Sequence, residues 1–520
     1  MYMEKVTVLW ADDEIDLLKP HILFLEDKGY EVHTATNGNA VMEIIKKHDF
    51  DIIFLDENMP GLTGIETLVK IKNLHPNLPV VMITKSEEES IMEEAIGSKI
   101  SDYLIKPVNP NQILLAIKKN LENKRLIVEK TNSAYQQEFQ KIGMRLSENL
   151  NYNEWIDIYK KIIFWELEFD NAKDESMVEI LKMQKLEANN LFAKFYEKNY
   201  QSWLNGKASD IPVLSPTLIR KKVIPLLSSE NPVFFILIDN LRYDQWKILQ
   251  PVIEETFRVA EDQLYFSILP TVTQYARNSL FAGLMPFEIQ NLHPQYWLND
   301  EEEGTKNSFE SELLGEQLKR ITGKEIKYSY NKILNYTAGS KFSENINNLF
   351  NNKLNVLVYN FVDTLSHART EMEIIRELAK DESAYRSITL SWFEHSPLLE
   401  ILKQLAGKKL NIIITTDHGS VFVHNAVKVL GDRNTTANLR YKQGRALQYN
   451  KKEVFEIRNP LEFYLPKTNI SSSYIFTRGY DFFAYPNNYN HYVNYYKNTF
   501  QHGGISMEEI MIPVITLNDK

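Results

Sequence analysis

Two sets of side chains able to do metal or phosphoryl chemistry lie at the ends of apolar runs. In the first set, Asp12 and Asp13 follow the run 6–10 and Asp56 follows 51–55. Thr84 ends the run 80–84, and Lys106 follows 101–105. Three carboxylates gathered in one place repel one another unless a hard divalent cation neutralises them. Mg²⁺ suits because it takes few protein oxygens and keeps waters or phosphate as its other ligands. A hydroxyl and an ammonium at the same edge complete what an aspartyl phosphate requires. The cation and Lys106 neutralise the incoming phosphoryl group, and Asp56 attacks it.

The second set lies in the last 300 or so residues: Asp239 after the run 233–238, Asp363 and His367 after 355–359, Asp417-His418-Gly419 after 411–415, and His502-Gly503-Gly504 before 512–515. Carboxylates mixed with imidazoles favour borderline ions such as Zn²⁺ or Mn²⁺ over Mg²⁺, and the chain has no cysteine to offer a thiolate. On a helical turn, Asp363 and His367 share one face. Asp417 and His418, adjacent on an extended segment, would point apart, which by itself favours two ions over one. Two ions about 4 Å apart clamp the attacking and leaving oxygens of a phosphoryl displacement. The nucleophile between them is Thr271, in a turn after a strand-like run. Arg277, shortly beyond, is read either as a contact for phosphate oxygens or as a surface ion pair. His293, His395, His424 and His491 have no evident partner and read as packing or surface residues, and Arg220-Lys221-Lys222 as a solvated helix face.

Positioning these groups takes more than one core, and 520 residues exceed what one core holds. Residues 5–120 alternate short apolar runs with amphipathic stretches, the pattern of a doubly wound α/β unit with a parallel sheet. Ligands bind such a sheet at its strand C-termini. From 111 to 205 there is no proline and the only glycine is Gly143. Trp155, Ile158, Tyr159 and Ile162 fall on helical spacing, and turn-like breaks at 149–153 and 169–174 divide this stretch into about three helices of an antiparallel bundle. After Gly206 and Pro216 the βα pattern returns, with a solvated loop at 300–304 and an irregular, Tyr- and Asn-rich stretch at 474–500. The expected domains are 1–122, 123–208 and 209–520, an α/β multidomain chain.

With 43% apolar and 25% charged residues, the composition is that of an ordinary globular protein. No run approaches the ~20 apolar residues of a membrane span, and the first residues show no basic, then apolar, signal pattern. A cytoplasmic location is therefore expected. The net charge of −10 argues against broad nucleic-acid binding, and no helix-turn-helix with a basic recognition helix is visible.

Asp12-Asp13, Asp56-Glu-Asn-Met-Pro60, Gly64, Thr84 and Asp102-Tyr-Leu-Ile-Lys106-Pro107 resemble the receiver domain of two-component response regulators. The resemblance implies that Asp56 is the phosphoacceptor and that Asp12, Asp13, Asp56 and the Asn58 carbonyl serve Mg²⁺. It makes Thr84 and Tyr103 the switch pair, with Lys106 on the phosphate. The stretches Pro270-Thr-Val-Thr-Gln-Tyr-Ala-Arg-Asn-Ser279, Val362-Asp-Thr-Leu-Ser-His367, Thr416-Asp-His-Gly-Ser420 and His502-Gly-Gly-Ile-Ser-Met-Glu-Glu-Ile-Met-Ile-Pro513 resemble the PglZ branch of the alkaline phosphatase superfamily. That likeness implies one Zn²⁺ on Asp363, His367 and His502, another on Asp239, Asp417 and His418, and Thr271 bridging both. A turn then brings Asp417 and His418 to one ion, against the extended-segment argument. Taken together, the three regions resemble the PorX-type response regulators of Bacteroidetes. The implied function is a phosphorylation-tuned zinc phosphodiesterase acting on linear or cyclic oligonucleotides and controlling type IX secretion. Its implied partners are a sensor histidine kinase, a sigma factor, a component of the secretion motor and, on phosphorylation, a second copy. The competing reading is a non-catalytic adaptor that uses the PglZ fold to dock a sigma factor or secretion component.

Overall fold

The first sheet forms because its central strands are apolar enough to be buried on both faces. The computed structural model describes residues 6–75, 78–85, 100–172 and 177–520. Strands β1 (Thr7–Ala11), β2 (Glu31–Ala35), β3 (Ile52–Asp56), β4 (Val80–Thr84) and β5 (Asp102–Ile105) pair in parallel in the order β2-β1-β3-β4-β5. Helices α2 (Gly38–Ile44) and α3 (Gly64–Leu74) cover one face through Val41, Leu68 and Ile71. Helix α1 (Lys19–Asp27) and the start of α4 (Pro110–Leu146) cover the other through Leu25, Ile113 and Ile117. Parallel pairing puts the C-terminal ends of β1, β3 and β4 on one edge, the edge that carries Asp12, Asp56 and Thr84.

Residues 1–137 form one compact unit and 138–520 a second. In the second, the end of α4 packs with α5 (Tyr152–Ala172) and α6 (Val178–Leu204). Lys161 Nζ reaches Glu138 at 2.8 Å, and the Gln184 amide donates to the Phe139 carbonyl at 3.0 Å. The break expected at 149–153 falls between α4 and α5. The one expected at 169–174 does not begin where the sequence suggested: α5 continues through Ala172, and 173–174 lie outside the described residues. These helices also pack on the sheet domain that follows. Tyr196 stacks on Phe266, and Lys185 Nζ lies 3.3 Å from buried Glu508.

The second sheet has six strands: β6 (Val233–Ile238), β7 (Phe257–Phe266), β8 (Tyr328–Ile333), β9 (Leu354–Tyr359), β10 (Asn411–Thr415) and β11 (Met511–Asp519), in the order β7-β11-β10-β6-β9-β8. β10, β6, β9 and β8 are parallel, whereas β11 runs antiparallel to both β10 and β7. Every residue of β6 and β9 is buried. The stretch 474–500 is more regular than its composition suggested: it holds strand Asp481–Ala484 and helix Tyr489–Tyr496, whose Val493 and Tyr496 pack on Phe482. The loop at 300–304 is solvated except at its first residue, because the Tyr275 and Tyr441 hydroxyls donate to Asp300 at 3.0 and 3.1 Å.

Candidate active site

Parallel β6, β9 and β10 deliver their following residues to one edge of the second sheet, and the second set of chemical groups meets there. Asp239 directly follows β6, and Asp417 and His418 follow β10. Asp363 and His367 sit on successive turns of α8 (Phe361–Glu371), the helix after β9, so the expected shared face is realised. Thr271 precedes α7 (Thr273–Ala282), and His502 lies shortly before α9 (Met507–Ile510). One ligating atom from each of Asp239, Asp417 and His418 falls within 4.8 Å of the others, and Asp363, His367 and His502 form a second such group.

The two groups adjoin. The His418 and His502 rings stack with centroids 4.3 Å apart, and the Asn240 amide, next to Asp239, lies 3.3 Å from Asp363 Oδ1. Thr271 is wholly buried, and its hydroxyl donates to the Gly504 carbonyl at 3.1 Å. Its oxygen accepts the Gly503 N–H at 3.0 Å, its carbonyl lies 3.2 Å from His502 Nδ1, and Thr273 Oγ1 lies 3.2 Å from His418 Nε2. Asp239, Asp417 and His418 are buried, while the His367 side chain is 61% exposed, so the second group faces the open side.

The donor set suits a borderline metal ion. His418 Nδ1 lies 3.2 Å from the Gly419 carbonyl and His502 Nδ1 the same distance from that of Thr271. A proton on each Nδ1 fixes the tautomer that leaves Nε2 as a lone-pair donor. Both Nε2 atoms face carboxylates, at 3.8 Å from Asp239 and 3.7 Å from Asp363. Asp239 Oδ1 is buried and accepts no hydrogen bond, a costly arrangement unless something cationic binds there. Burial pushes the His502 imidazole down to about 3, keeping it neutral, as a ligand must be. Burial raises Asp239 well above the carboxylate range even against Arg277. For Asp417 burial also acts upward, but Arg277 and His418 overcome it and hold the group at about 2.

Arg277 is neither of the things the sequence suggested. It is fully buried, which excludes a surface ion pair, and its charged neighbours are carboxylates: Asp417 at 2.9 Å, Glu310 at 3.5 Å and Asp239. The guanidinium stands behind the ligand carboxylates and orients them, in place of the expected phosphate contact. Glu310 had no signal in the sequence, being remote from every motif. Glu509, 3.4 Å from Thr271 Oγ1, lies inside the final motif, with nothing in the sequence to single it out. His293, His395, His424 and His491 stay outside the site, as expected: His293 stacks on Tyr296, His491 on Tyr495, His395 lies on the Ser391 carbonyl and His424 on Asn498.

In the receiver-like unit, Asp12, Asp13 and Asp56 bring carboxylate oxygens within 4.8 Å of one another. Lys106 Nζ bridges Asp12 at 2.9 Å and Asp56 at 2.7 Å. Burial raises Asp56, against the pull of Lys106. For Lys106 burial acts downward, but hydrogen bonds to Asp56 and Asp12 prevail and the group sits above its usual value. The acidic pair and Lys106 thus meet as the strand-end argument requires, and three oxygens leave room for the waters Mg²⁺ keeps. Thr84 donates its hydroxyl to Glu57, Tyr103 is exposed, and Asn58 lies exposed in the turn after β3.

Residues 218–517 match the profile of the BREX system PglZ alkaline phosphatase-like domain. Residues 125–204 match the PorX response regulator linker domain, and 8–118 the response regulator receiver domain. The transcriptional regulatory protein SrrA of Staphylococcus aureus is 31% identical over 111 residues, 21% of this chain and 46% of SrrA. The chain thus spans about half the length of the curated relatives it matches. Among solved structures, a CheY-like receiver domain from Methanospirillum hungatei is 28% identical, with a TM-score of 0.23, covering 23% of this chain and 96% of that one. The receiver domain of NtrX from Brucella abortus is 32% identical, with a TM-score of 0.21, covering 22% and 98%.

Proposed function

The chain belongs to the PglZ alkaline phosphatase-like family, and on that premise we propose that it is a zinc phosphodiesterase whose activity is set by phosphorylation of its receiver domain. The observation that carries the reading is the meeting of two adjoining three-residue groups of carboxylates and imidazoles at one sheet edge, with Thr271 buried beside His502 and the Thr273 hydroxyl 3.2 Å from His418 Nε2. Asp239, Asp417 and His418 hold one Zn²⁺, and Asp363, His367 and His502 the other. The ions supply Lewis-acid stabilisation of the attacking and leaving oxygens.

The protein's own residues do the rest. Thr271 Oγ1 attacks phosphorus, a P–O bond to the departing nucleotide breaks, and water then cleaves the phosphothreonine and restores the hydroxyl. The Gly503 N–H, 3.0 Å from Oγ1, stabilises charge on that oxygen. Arg277 pairs with both Asp239 and Asp417 and holds Asp417 ionised. Substrate enters from the side of the exposed His367.

A receiver domain takes its phosphoryl group from a sensor histidine kinase, here onto Asp56 with Mg²⁺ on Asp12, Asp13, Asp56 and the Asn58 carbonyl, while Lys106 neutralises the phosphate. Thr84 and Tyr103 form the switch, and its first event is transfer of the Thr84 hydroxyl from Glu57 to the phosphate. The likeness of 125–204 to the PorX linker supports placing the protein in type IX secretion control. In that setting the substrates are linear or cyclic oligonucleotides, the further partners are a sigma factor and a secretion-motor component, and phosphorylation promotes a homodimer.

The test is hydrolysis of bis(p-nitrophenyl) phosphate and of short linear and cyclic oligonucleotides by zinc-loaded full-length protein. Activity should vanish with EDTA, fall by at least ~10³-fold in Thr271→Ala, and change when beryllofluoride occupies Asp56. Activity surviving both EDTA and the substitution would refute the mechanism. An unchanged rate with beryllofluoride would refute the regulation.

A further inference from the structure

The two three-residue groups are carried by different elements, and the side chain of Asn240 spans them. Asn240 follows Asp239 at the end of β6 and is wholly buried. Its φ of +63° lies in the left-handed region, which glycine enters freely and asparagine more readily than most side chains. Backbone bonds tie down the turn around it. The Asp239 N–H donates to the Tyr359 carbonyl at 2.8 Å, and the Leu241 N–H to Thr416 Oγ1, beside Asp417, at 3.0 Å. Neither bond reaches a side chain of the second group.

The Asn240 amide does. Its Nδ2 lies 3.3 Å from Asp363 Oδ1 and 3.2 Å from Ser366 Oγ, both on α8. Chemistry fixes which end of the amide faces that helix. An ionised carboxylate only accepts, and the Ser366 hydroxyl donates its proton to the Asp363 carbonyl at 2.7 Å, so both neighbours call for a donor. The amide NH₂ has two hydrogens, one for each. The two Asp363 oxygens then differ in their surroundings. Oδ1, which accepts from Asn240, lies 3.7 Å from His502 Nε2, and Oδ2 lies 3.6 Å from His367 Nε2. A carboxylate that turned about its Cβ–Cγ bond would break the Asn240 bond and leave both imidazoles facing a different lone pair.

We propose that Asn240 is a strut between the two groups: it orients the Asp363 carboxylate for an ion shared with His367 and His502, and it fixes that group against the one on Asp239, Asp417 and His418. Asn240 acts through Asp363 and is a positioning residue. The hydrogen-bond partner of a metal ligand sets the ligand's direction, and losing it commonly lowers metal affinity by about 10–100-fold. The inference deepens the two-ion reading and rests on it, but on no particular nucleophile or substrate.

The experiment measures zinc affinity of the full-length protein by competition with a fluorescent chelator, with hydrolysis of bis(p-nitrophenyl) phosphate as a separate readout. Asn240→Gly keeps the left-handed backbone and removes the amide. It should weaken one zinc constant by ~10–100-fold and leave the other within about threefold. The weakened constant should be the one lost in His367→Ala, which strips a ligand from the second group. In zinc-free protein, hydrogen–deuterium exchange across 361–371 should quicken in Asn240→Gly, while exchange across 233–238 stays near wild type. Should Asn240→Gly fail to fold, Ser366→Ala takes its place. It removes one of the two acceptors and should give a loss of about 3–10-fold at the same site. Equal weakening of both ions marks a general loss of stability and overturns the proposal, as do two unchanged constants or unchanged exchange at 361–371. A wild type that binds two zinc ions but hydrolyses no phosphodiester refutes the function, and the two constants still decide the strut. A wild type that binds one ion overturns the strut together with the two-ion reading.

Discussion

Replacing His502 with asparagine in zinc-free protein should change how stability depends on pH, by an amount and sign the site fixes. Burial holds this imidazole at about 3, well below the ordinary histidine value of 6.5. Between those values the unfolded chain binds a proton that the folded protein refuses, so this group's contribution falls as pH falls below 6.5. Each pH unit inside the window is worth about 1.4 kcal/mol, so from about pH 6.0 to 4.5 the loss is roughly 2 kcal/mol. Asp239 acts in the opposite sense. Its raised folded pKa lets the folded protein take up a proton, which adds stability as pH falls. The absolute curve therefore mixes both, and the quantity to measure is wild type minus His502→Asn, in which Asp239 cancels. Asp417, held at about 2, contributes only below the window. Urea titrations of EDTA-treated protein, followed by tryptophan fluorescence, report mainly on the second compact unit, since of the seven tryptophans only Trp10 lies outside it. Wild type minus His502→Asn should therefore fall by roughly 2 kcal/mol across the window, so that the substitution is relatively better tolerated at low pH. A pH-independent difference would refute a buried, neutral His502.

Other outcomes follow from the same geometry. Arg277→Met leaves Asp239, Asp417 and Glu310 facing one another without a cation and should destabilise zinc-free protein by about 3–5 kcal/mol. Zinc should restore part of that loss in a thermal melt, and equal melting with and without zinc would contradict the placement of an ion there. With acetyl phosphate and Mg²⁺, the wild type should incorporate one phosphoryl group by mass spectrometry and Asp56→Asn none. Lys106→Ala, which leaves Asp12 and Asp56 without their ammonium, should slow incorporation markedly, and an unchanged rate would count against its role.

Strand-end chemistry was readable from sequence because a parallel sheet gathers its strand C-termini whatever the loops do. A carboxylate that directly follows an apolar run must therefore reach the common edge. Asp12 and Asp56 in one sheet, and Asp239 and Asp417 in the other, needed only that rule, and the i, i+4 pair Asp363 and His367 needed only a helical turn. The same local patterns gave the helical middle region, although α5 outlasts its expected break because packing overrides weak turn signals there. Which groups stand behind the ligands is a different kind of fact. Arg277 is helical and polar in sequence, and only its tertiary pairing with Asp239, Asp417 and Glu310 makes it a buried counter-ion in place of a phosphate contact. Asn240 and Asp363 lie 123 residues apart with no motif joining them. Desolvation and pairing are properties of tertiary neighbours, so the sequence alone determined which atoms can do chemistry and at which sheet edge. The tertiary structure alone decided which charges are neutralised, which imidazoles stay neutral, and which backbone amide faces the Thr271 oxygen.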